Sequence, residues 1–536
     1  MLNVKMKNIS KFPILVGGVL LAGAILGACS ESQYEKWNID PNGVTSEELD
    51  RDNLRTGAFF TQMQRGVFIV GKDEGGTYQI TQMLDGDIFA GYFANVKSSY
   101  NIGSTHHDHY QMTSHWYDMP FNRAYTDIMQ PWSEIVKVTD ENSVDRALAT
   151  VVKVFAMNRI TDKYGPIPYS KFGTGIAVAY DSQKDIYNSF FAELDDAIAV
   201  LGAYQSSNGK PYMQRYDFIY SGNVEKWIKF ANTVRLRLAM RVSYVDEALA
   251  RTQVQKVLDC PYGLMSTSGD DAILHHTATF TFTNPIYEVC RSFNDLRMGA
   301  TVDCYLNGYN DPRMKAYFLP SAANSEYRGV RNGLTSGFDN YVNITSAANY
   351  DNDSDLPWMH AAEAYFLLAE AKLRLNLGSG DVKSLYEEGI RTSFASAGVT
   401  GADTYIANSE AKPNGSWRTY RDQDEDVSSM LSNLAVAWDE SASQSTKLER
   451  IMIQKWIALF PDGQEAWSEM RRTGYPGWVR ISTYNYASGV SQNQLISRIQ
   501  FPSTELSNNT ANVQAAVTML GGQDNAGTRL WWDVKR

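Results

Sequence analysis

Residues 359–376 read Met359-His-Ala-Ala-Glu-Ala-Tyr-Phe-Leu-Leu-Ala-Glu-Ala-Lys-Leu-Arg-Leu-Asn376. Ala361, Ala364, Tyr365, Leu368, Ala371 and Leu375 recur at helical spacing, and Phe366 and Leu367 lie on the other side. The pattern predicts a helix that is buried nearly all round. Gly378 and Gly380 then turn the chain into a second amphipathic helix over 381–397. Two antiparallel helices of this length are typical of one tetratricopeptide-like unit.

Outside this pair, apolar residues at helical spacing predict helices over 144–163, 184–201, 224–244 and 445–460. Long segments rich in Gly, Asn, Ser and Asp separate the helices, at 91–115, 203–222, 261–285, 321–358, 399–430 and 474–526. Loops of this length in a compact domain are usually functional or disordered. No linker divides the chain. The sequence therefore predicts an all-α fold, a single large domain of tetratricopeptide-like helix pairs with long irregular ligand-binding loops.

The composition excludes two classes of protein. Of 536 residues, 43% are apolar, which is too many for an intrinsically disordered scaffold. Asp and Glu number 60 against 49 Lys and Arg, and the formal charge is −11. An acidic surface repels phosphate backbones, so we expect no nucleic-acid partner.

The N-terminus has the composition of a secretory signal. Three lysines and no acidic residue precede the apolar run 12–26, which is shorter than the ~20 residues that span a bilayer. The run ends in Leu26-Gly27-Ala28-Cys29, which resembles a bacterial lipobox, where the cysteine is acylated and becomes the mature N-terminus. A plain signal peptide is the alternative. Met6 begins a more typical signal, so the start is Met1 or Met6.

These features predict three segments. A lipoprotein signal peptide occupies 1–28, a lipid-anchored polar tether occupies 29–57, and the folded domain occupies 58–536. Because several acyl chains on Cys29 would insert together, we expect firm membrane anchoring.

Three motifs suggest chemistry, and each departs from its pattern. Gly66-Val-Phe-Ile-Val-Gly71-Lys72 resembles a phosphate loop, but Asp73 stands where Ser or Thr must hold magnesium, which favours a core segment. His106, His107, Asp108, His109 and His115 are close in sequence but lack a recognised zinc spacing, which favours a polar loop surface.

Asp351, Asp353 and Asp355 alternate like the start of a calcium loop. However, Leu356 occupies the position that needs glycine, and Glu363 comes one residue late. These three carboxylates are the metal candidates, for a structural calcium ion. Otherwise we expect no cofactor and no catalytic residues, since no nucleophile elbow or zinc-protease motif is present.

Aromatic residues in the loops are the remaining signal. A flat ring can stack on the apolar face of a sugar, and it also suits peptide side chains. The candidate ligand-binding rings are Tyr92, Phe93, Tyr100, Tyr110, Trp417 and Tyr420, with Tyr475 and Trp478 in similar context.

Taken together, the sequence resembles the SusD/RagB family of nutrient-binding surface lipoproteins of Bacteroidota, in its SusD-like subgroup. The segments that carry the resemblance span nearly the whole mature chain. They are the lipobox, Trp37-Asn-Ile-Asp-Pro-Asn42, and residues 78–92, 162–169, 185–198, 227–241, 311–313, 363–371 and 464–474.

This resemblance implies a function that the residues alone do not give. Family members capture glycans, and in some cases peptides, at the outer-membrane surface. They act as a hinged lid on a SusC-like TonB-dependent barrel, which would be the partner here. We therefore expect a non-enzymatic oligosaccharide-binding lipoprotein, anchored in the outer membrane at the cell surface. The same role for oligopeptides, a surface glycoside hydrolase and an envelope-assembly scaffold are the alternatives.

Replacing Cys29 by Ala should release the protein from the membrane, because no other segment is apolar enough to hold it there. Fractionation of cells followed by mass spectrometry of the N-terminal peptide checks this. Continued membrane retention without an acyl mass would contradict the anchor at Cys29.

Overall fold

Thirteen α-helices of eight or more residues run through the described part of this computed structural model, residues 53–97, 107–111, 113–482 and 489–535. They are α1 (Leu54–Gly66), α2 (Ser114–Ala124), α3 (Gln130–Lys137), α4 (Val144–Tyr164), α5 (Gln183–Ser207), α6 (Val224–Val242), α7 (Glu247–Asp259), α8 (Ala300–Gly308), α9 (Ala362–Leu375), α10 (Val382–Ser396), α11 (Gln444–Ala458), α12 (Gly463–Thr473) and α13 (Thr510–Leu520).

Shorter elements lie between these helices. Short α-helices span Gly75–Tyr78, Pro285–Tyr287, Met314–Tyr317, Phe338–Tyr341, Ala402–Ile406 and Ser503–Asn508. π-helices span Gln79–Asp87, Tyr125–Met129 and Glu288–Ser292, and 3₁₀ turns span His107–His109, Ser268–Asp270 and Ser428–Met430. The strands are β1 (Phe93–Asn95), β2 (Ala272–Leu274), β3 (Leu296–Met298), β4 (Leu356–Met359), β5 (Ser416–Arg418) and β6 (Asp424–Asp426). They pair as three antiparallel ribbons, β1–β3, β2–β4 and β5–β6.

Side-chain caps set where several predicted helices begin. Ser143 accepts a hydrogen bond from the Arg146 amide at the start of α4, and Asp381 accepts one from the Ser384 amide at the start of α10. Such caps satisfy amides that have no partner within the helix. The helices predicted over 144–163, 224–244 and 445–460 are confirmed within two residues at each end.

Helix pairs form the body of the protein, as predicted. α4 packs on α5, α5 on α6, and α6 on α7, while α9 packs on both α10 and α11. At the α9–α10 contact, a Cβ on Gly389 would lie 2.8 Å from the ring of Phe366. A glycine is therefore needed at this position for the two helices to pack this closely.

Eight charged side chains are buried together where α6, α9, α11 and α12 meet, a group we call the ion cluster. Its cations are Arg237, Arg241, Lys455 and Arg472, and its carboxylates are Glu363, Glu370, Glu465 and Glu469. Each side chain is at most 5% exposed. Asp162 also lies 3.3 Å from Arg241, and Arg374 lies 2.7 Å from Glu370, so each buried charge has an opposite charge beside it, which is what makes the burial tolerable.

The pairing within the ion cluster is close. Arg241 Nη1 lies 2.7 Å from Glu469 Oε1, and Arg472 Nη1 lies 2.7 Å from Glu370 Oε1. Burial raises the pKa of Glu465 to about 7. Burial would do the same to Glu469, but Arg472, Lys455 and Arg241 hold the pKa of Glu469 well below its usual value. Glu469 is thus a fixed negative charge that joins three helices.

Two predictions about particular segments have clear outcomes. Val67, Phe68, Ile69 and Val70 are buried, so the segment resembling a phosphate loop belongs to the core, as expected. The segment 474–526, predicted as loop, contains helix α13. Only Val513 and Ala516 of α13 are buried, which is too few for a visible helical period.

Helix α1 begins at Leu54, inside the predicted tether, and Cys29 lies outside the described residues.

Replacing Arg472 by Ala should lower the free energy of unfolding by about 3–5 kcal/mol, because it leaves Glu370 and Glu469 buried without their main cation. Urea denaturation followed by circular dichroism measures this. Lys137→Ala, which removes an exposed ion pair with Glu134, is the matched control and should cost less than about 1 kcal/mol. Equal effects of the two variants would contradict a structural role for the ion cluster.

Candidate ligand-binding face

Four segments far apart in sequence meet on one side of the helical body, and we call this surface the loop face. They are residues 107–111, 329–345, 416–430 and 474–482. His109 Nε2 lies 2.9 Å from the carbonyl oxygen of Leu334. The Ser482 amide donates to the carbonyl of Asn332, and Arg331 Nε donates to the carbonyl of Arg480 at 2.6 Å. Hydrogen bonds between backbone and side chains therefore hold these loops together.

A small hydrophobic cluster beneath the loop face is separate from the main core. It contains Val330, Tyr341, Trp417, Val427 and Val479. The Trp417 ring lies nearly parallel to Tyr341, with centroids 6.3 Å apart, and its indole nitrogen donates to the carbonyl of Gly329. Trp417 is 2% exposed. Its predicted place among exposed ligand-binding rings is therefore corrected, since its ring packs inside this cluster.

Tyr420 differs from Trp417 because its ring is only half-buried. It meets the Tyr341 ring edge to face at 5.4 Å, and its hydroxyl accepts a hydrogen bond from Arg421 Nε at 2.9 Å. Tyr420 thus lies at the border of the cluster, where a ligand can reach it, and its role in binding stays a prediction.

Three other candidate rings are buried. The Tyr92 hydroxyl donates to the carbonyl of Trp456, and the Phe93 ring packs against Phe318 at 6.0 Å. Tyr110 is 4% exposed and packs edge to face on Phe89. The prediction of ligand contact is corrected for all three, because aromatic packing encloses their rings. Tyr100 lies outside the described residues.

A cleft of about 240 Å³ opens beside the loop face. Its side chains include Trp478, Asn493, Gln494 and Arg529. The floor is held by α12, since Trp467 Nε1 donates to the carbonyl of Ile496 and Arg471 Nη1 donates to that of Ser497, each at 2.8 Å. A Cβ on Gly527 would lie 2.3 Å from the carbonyl oxygen of Gly489. Glycine at 527 therefore lets two loops close the end of the cleft.

Trp478 is the aromatic residue of this cleft. Its ring is half-buried, and the Arg480 guanidinium lies 3.8 Å from the ring centroid. The indole nitrogen is buried and has no hydrogen-bond partner among the described residues. A ring held in place on one side, with amide and guanidinium groups around it, can stack on an apolar ligand face while those groups bond its hydroxyls.

In the described part of the chain, the histidine-rich segment has a structural role. His107 is fully buried, and its Nδ1 lies 2.6 Å from Asp85 Oδ1, whose other oxygen lies 3.2 Å from Lys163 Nζ. Burial alone would raise the pKa of Asp85, but Lys163 and His107 hold it below its usual value. This buried pairing anchors residues 107–111 to the helical body. Among the described residues, no group of three His, Cys, Asp or Glu side chains could hold a metal ion.

The three candidate calcium ligands do not converge. Asp351 Oδ1 pairs with Arg291 at 2.7 Å, whereas Asp355 Oδ2 pairs with His275 Nδ1 at 2.8 Å. Because these two carboxylates serve different partners, the prediction that Asp351, Asp353 and Asp355 form a site is corrected for the described residues.

Comparison with known proteins shows which family shares this architecture. The model of the SusD-like family, described as Susd and RagB outer membrane lipoproteins, matches residues 36–533. The chain belongs to the SusD/RagB family. A chitin-binding SusD homolog from Flavobacterium johnsoniae is 35% identical, with a TM-score of 0.85, 90% of this chain covered and 99% of that one. A SusD homolog from Bacteroides uniformis is also 35% identical, with a TM-score of 0.84 and the same coverage. A search of curated proteins found no match.

Membership of the SusD/RagB family confirms the fold and the family that the sequence indicates. SusD-like proteins are nutrient-binding outer-membrane lipoproteins and are binding proteins rather than enzymes. Within the described residues, no helix has both the length and the apolar character needed to cross a membrane.

Sequence reasoning missed the polar residues of the cleft in this SusD-like protein. Asn493 and Gln494 belong to the polar run Ser491-Gln-Asn-Gln494, which lies between the buried Val490 and Leu495. That run was the available signal within the long segment 474–526. No feature of the sequence marked Arg529 as a cleft residue, because the fold of the C-terminal segment brings it to the cleft.

Replacing Trp417 by Ala should destabilise the protein by about 3–5 kcal/mol, the usual cost of deleting a buried aromatic ring. Tyr420→Ala is the comparison and should cost about 1 kcal/mol or less, because that ring is half-exposed. Thermal and urea unfolding of both variants measure this. Similar losses for the two variants would contradict the difference in burial.

Proposed function

We propose that this SusD-like protein captures oligosaccharides in the cleft at Trp478 and passes them, as a hinged lid, to a SusC-like TonB-dependent outer-membrane transporter. It would be held at the cell surface by acyl chains on Cys29. The observation that carries the proposal is the cleft itself, an aromatic ring with two side-chain amides and a guanidinium beside a loop face on a rigid helical body.

The cleft is small enough to be only one part of a larger binding site. Pockets that bury a drug-sized ligand occupy ~300–1,000 Å³, and this cleft of about 240 Å³ holds roughly one sugar ring. A single stacked ring binds weakly. Closure against a second protein would bury the rest of the ligand, and a lipid tether would raise the effective concentration of the lid.

The chemistry of the cleft favours a glycan carried without catalysis. Glycosidases generally need a pair of carboxylates flanking the bond that breaks. The described residues that line the cleft include no Asp or Glu. The chitin-binding relative from Flavobacterium johnsoniae supports a glycan ligand. Arg529 also suits the carboxylate of an oligopeptide, which remains the alternative ligand.

Isothermal titration calorimetry of the purified protein against panels of oligosaccharides and oligopeptides tests this proposal. Trp478→Ala should weaken oligosaccharide binding several-fold, up to about tenfold, since stacking of an aromatic ring contributes ~0.5–1.5 kcal/mol. Its effect on the melting temperature should be small, because the ring is half-exposed.

Trp438→Ala is the matched control. Trp438 is also half-buried but packs against Tyr386 and hydrogen-bonds Glu440, outside the cleft. Binding should survive this change. Equal loss of binding in both variants, or heat only from peptides, would contradict oligosaccharide capture at Trp478.

A further inference from the structure

A second cavity of about 240 Å³ shares no lining residue with the cleft at Trp478. It lies where helices α10 and α11 end, next to the β2–β4 ribbon and the loop that precedes β4. Nothing in the proposed capture of oligosaccharides uses it.

One side of this second cavity is aromatic. Tyr317 stacks on Phe460 with ring centroids 4.5 Å apart and an interplanar angle of 27°, and the half-buried Tyr350 lines the same cavity. Phe460 in turn packs on Phe318 at 5.0 Å, so this wall is backed by the main core. Because Phe460 is 1% exposed and Tyr317 is 9% exposed, the ring surface left for a flat ligand is mainly that of the half-buried Tyr350.

The other side presents hydrogen-bond acceptors. His360 Nδ1 lies 2.8 Å from Asp271 Oδ2, so in the neutral ring the proton sits on Nδ1 and Nε2 is left as an acceptor. The Ser396 hydroxyl is buried and has no partner among the described residues. Asp355 completes the acceptor side, because each of its oxygens accepts one hydrogen bond, from the His275 side chain or the His276 amide, and a carboxylate oxygen can accept a second. A ligand with several O–H or N–H donors would satisfy these groups.

The cavity is also electronegative. Burial raises the pKa of Asp355, but hydrogen bonds from the His275 side chain and the His276 amide hold it below its usual value, so this carboxylate is charged at neutral pH. The C-terminal ends of α10 and α11 add partial negative charge, as helix C-termini do. Arg313, the buried cation nearest Ser393, is already paired with Asp311. A positive group is therefore favoured here over a negative one.

We propose that this cavity is a second binding site, for a single sugar ring that carries an amine, such as a hexosamine. The sugar ring would stack on Tyr350, its hydroxyls would donate to Ser396 and His360, and its ammonium would pair with Asp355. A volume of about 240 Å³ admits one ring and not a chain, so the site takes a free monosaccharide or the end of a chain.

Ligand-observed NMR titrations with D-glucosamine, D-glucose and D-glucuronate test the site, on full-length mature protein carrying Trp478→Ala so that the first cleft does not contribute. Glucosamine should bind more tightly than glucose, and glucuronate more weakly than both. Asp355→Asn should weaken glucosamine binding about tenfold, the value of one charge-assisted hydrogen bond, and should abolish its advantage over glucose.

Asp353→Asn is the matched control, because Asp353 is an exposed carboxylate of the same loop that does not line the cavity. It should leave glucosamine binding unchanged. If Asp355→Asn loses its native circular dichroism, Ser396→Phe replaces it, since a phenyl ring on a partly exposed residue would fill the cavity and should abolish binding.

Three results would overturn the site: no binding of any of the three sugars, glucuronate binding as tightly as glucosamine, or binding that is indifferent to both Asp355→Asn and Ser396→Phe. Failure of the proposed function looks different, because it appears as oligosaccharide binding that survives Trp478→Ala combined with Ser396→Phe, in which the second cavity is filled.

Discussion

The charges buried between α6, α9, α11 and α12 constrain the rest of the structure most strongly. Each carboxylate of the ion cluster is held by a cation from another helix or another turn, and an unpaired charge at such depth is expensive. A shift of one helix by a turn would break several pairs at once. The cluster therefore helps to fix the register of four helices, because it adds specific charge pairs to their apolar contacts.

The fixed position of helix α12 also determines where the binding surface lies. Helix α12 supplies Glu469 and Arg472 to the ion cluster, and Trp467 and Arg471 of the same helix hold the floor of the cleft. Five residues after α12 ends, the chain reaches Trp478. The buried pair of His107 and Asp85 plays a similar part for residues 107–111. A rigid body thus presents loops whose side chains can differ without disturbing the frame.

Much of the helical frame could be predicted from the sequence, because apolar residues at helical spacing leave a visible period. This holds for α10, which is buried on one side, and also for α4 and α11, which are buried all round over most of their length. The ion cluster could not be predicted, since Arg237 and Arg241 look like the solvent face of α6 until the helices that surround them are known. The prediction of ligand-binding rings failed for a similar reason, because rings in loop-like sequence look exposed. Trp417 and Tyr92 lie in or beside loop-like sequence, but Trp417 is buried in the second hydrophobic cluster beneath the loops and Tyr92 is buried in the main core. Among the rings in loop context that the structure describes, only Trp478 lines the cleft.

We propose that this SusD-like protein forms a lid over a transporter and delivers a glycan to it. Mild detergent extraction of the outer membrane, followed by native mass spectrometry of the complex that contains this chain, is the sharpest test of that role. We expect a co-eluting TonB-dependent barrel and trapped ligand whose masses differ by sugar units. Recovery of the chain without a barrel across several detergents, or of ligand masses spaced by amino-acid residues, would contradict it.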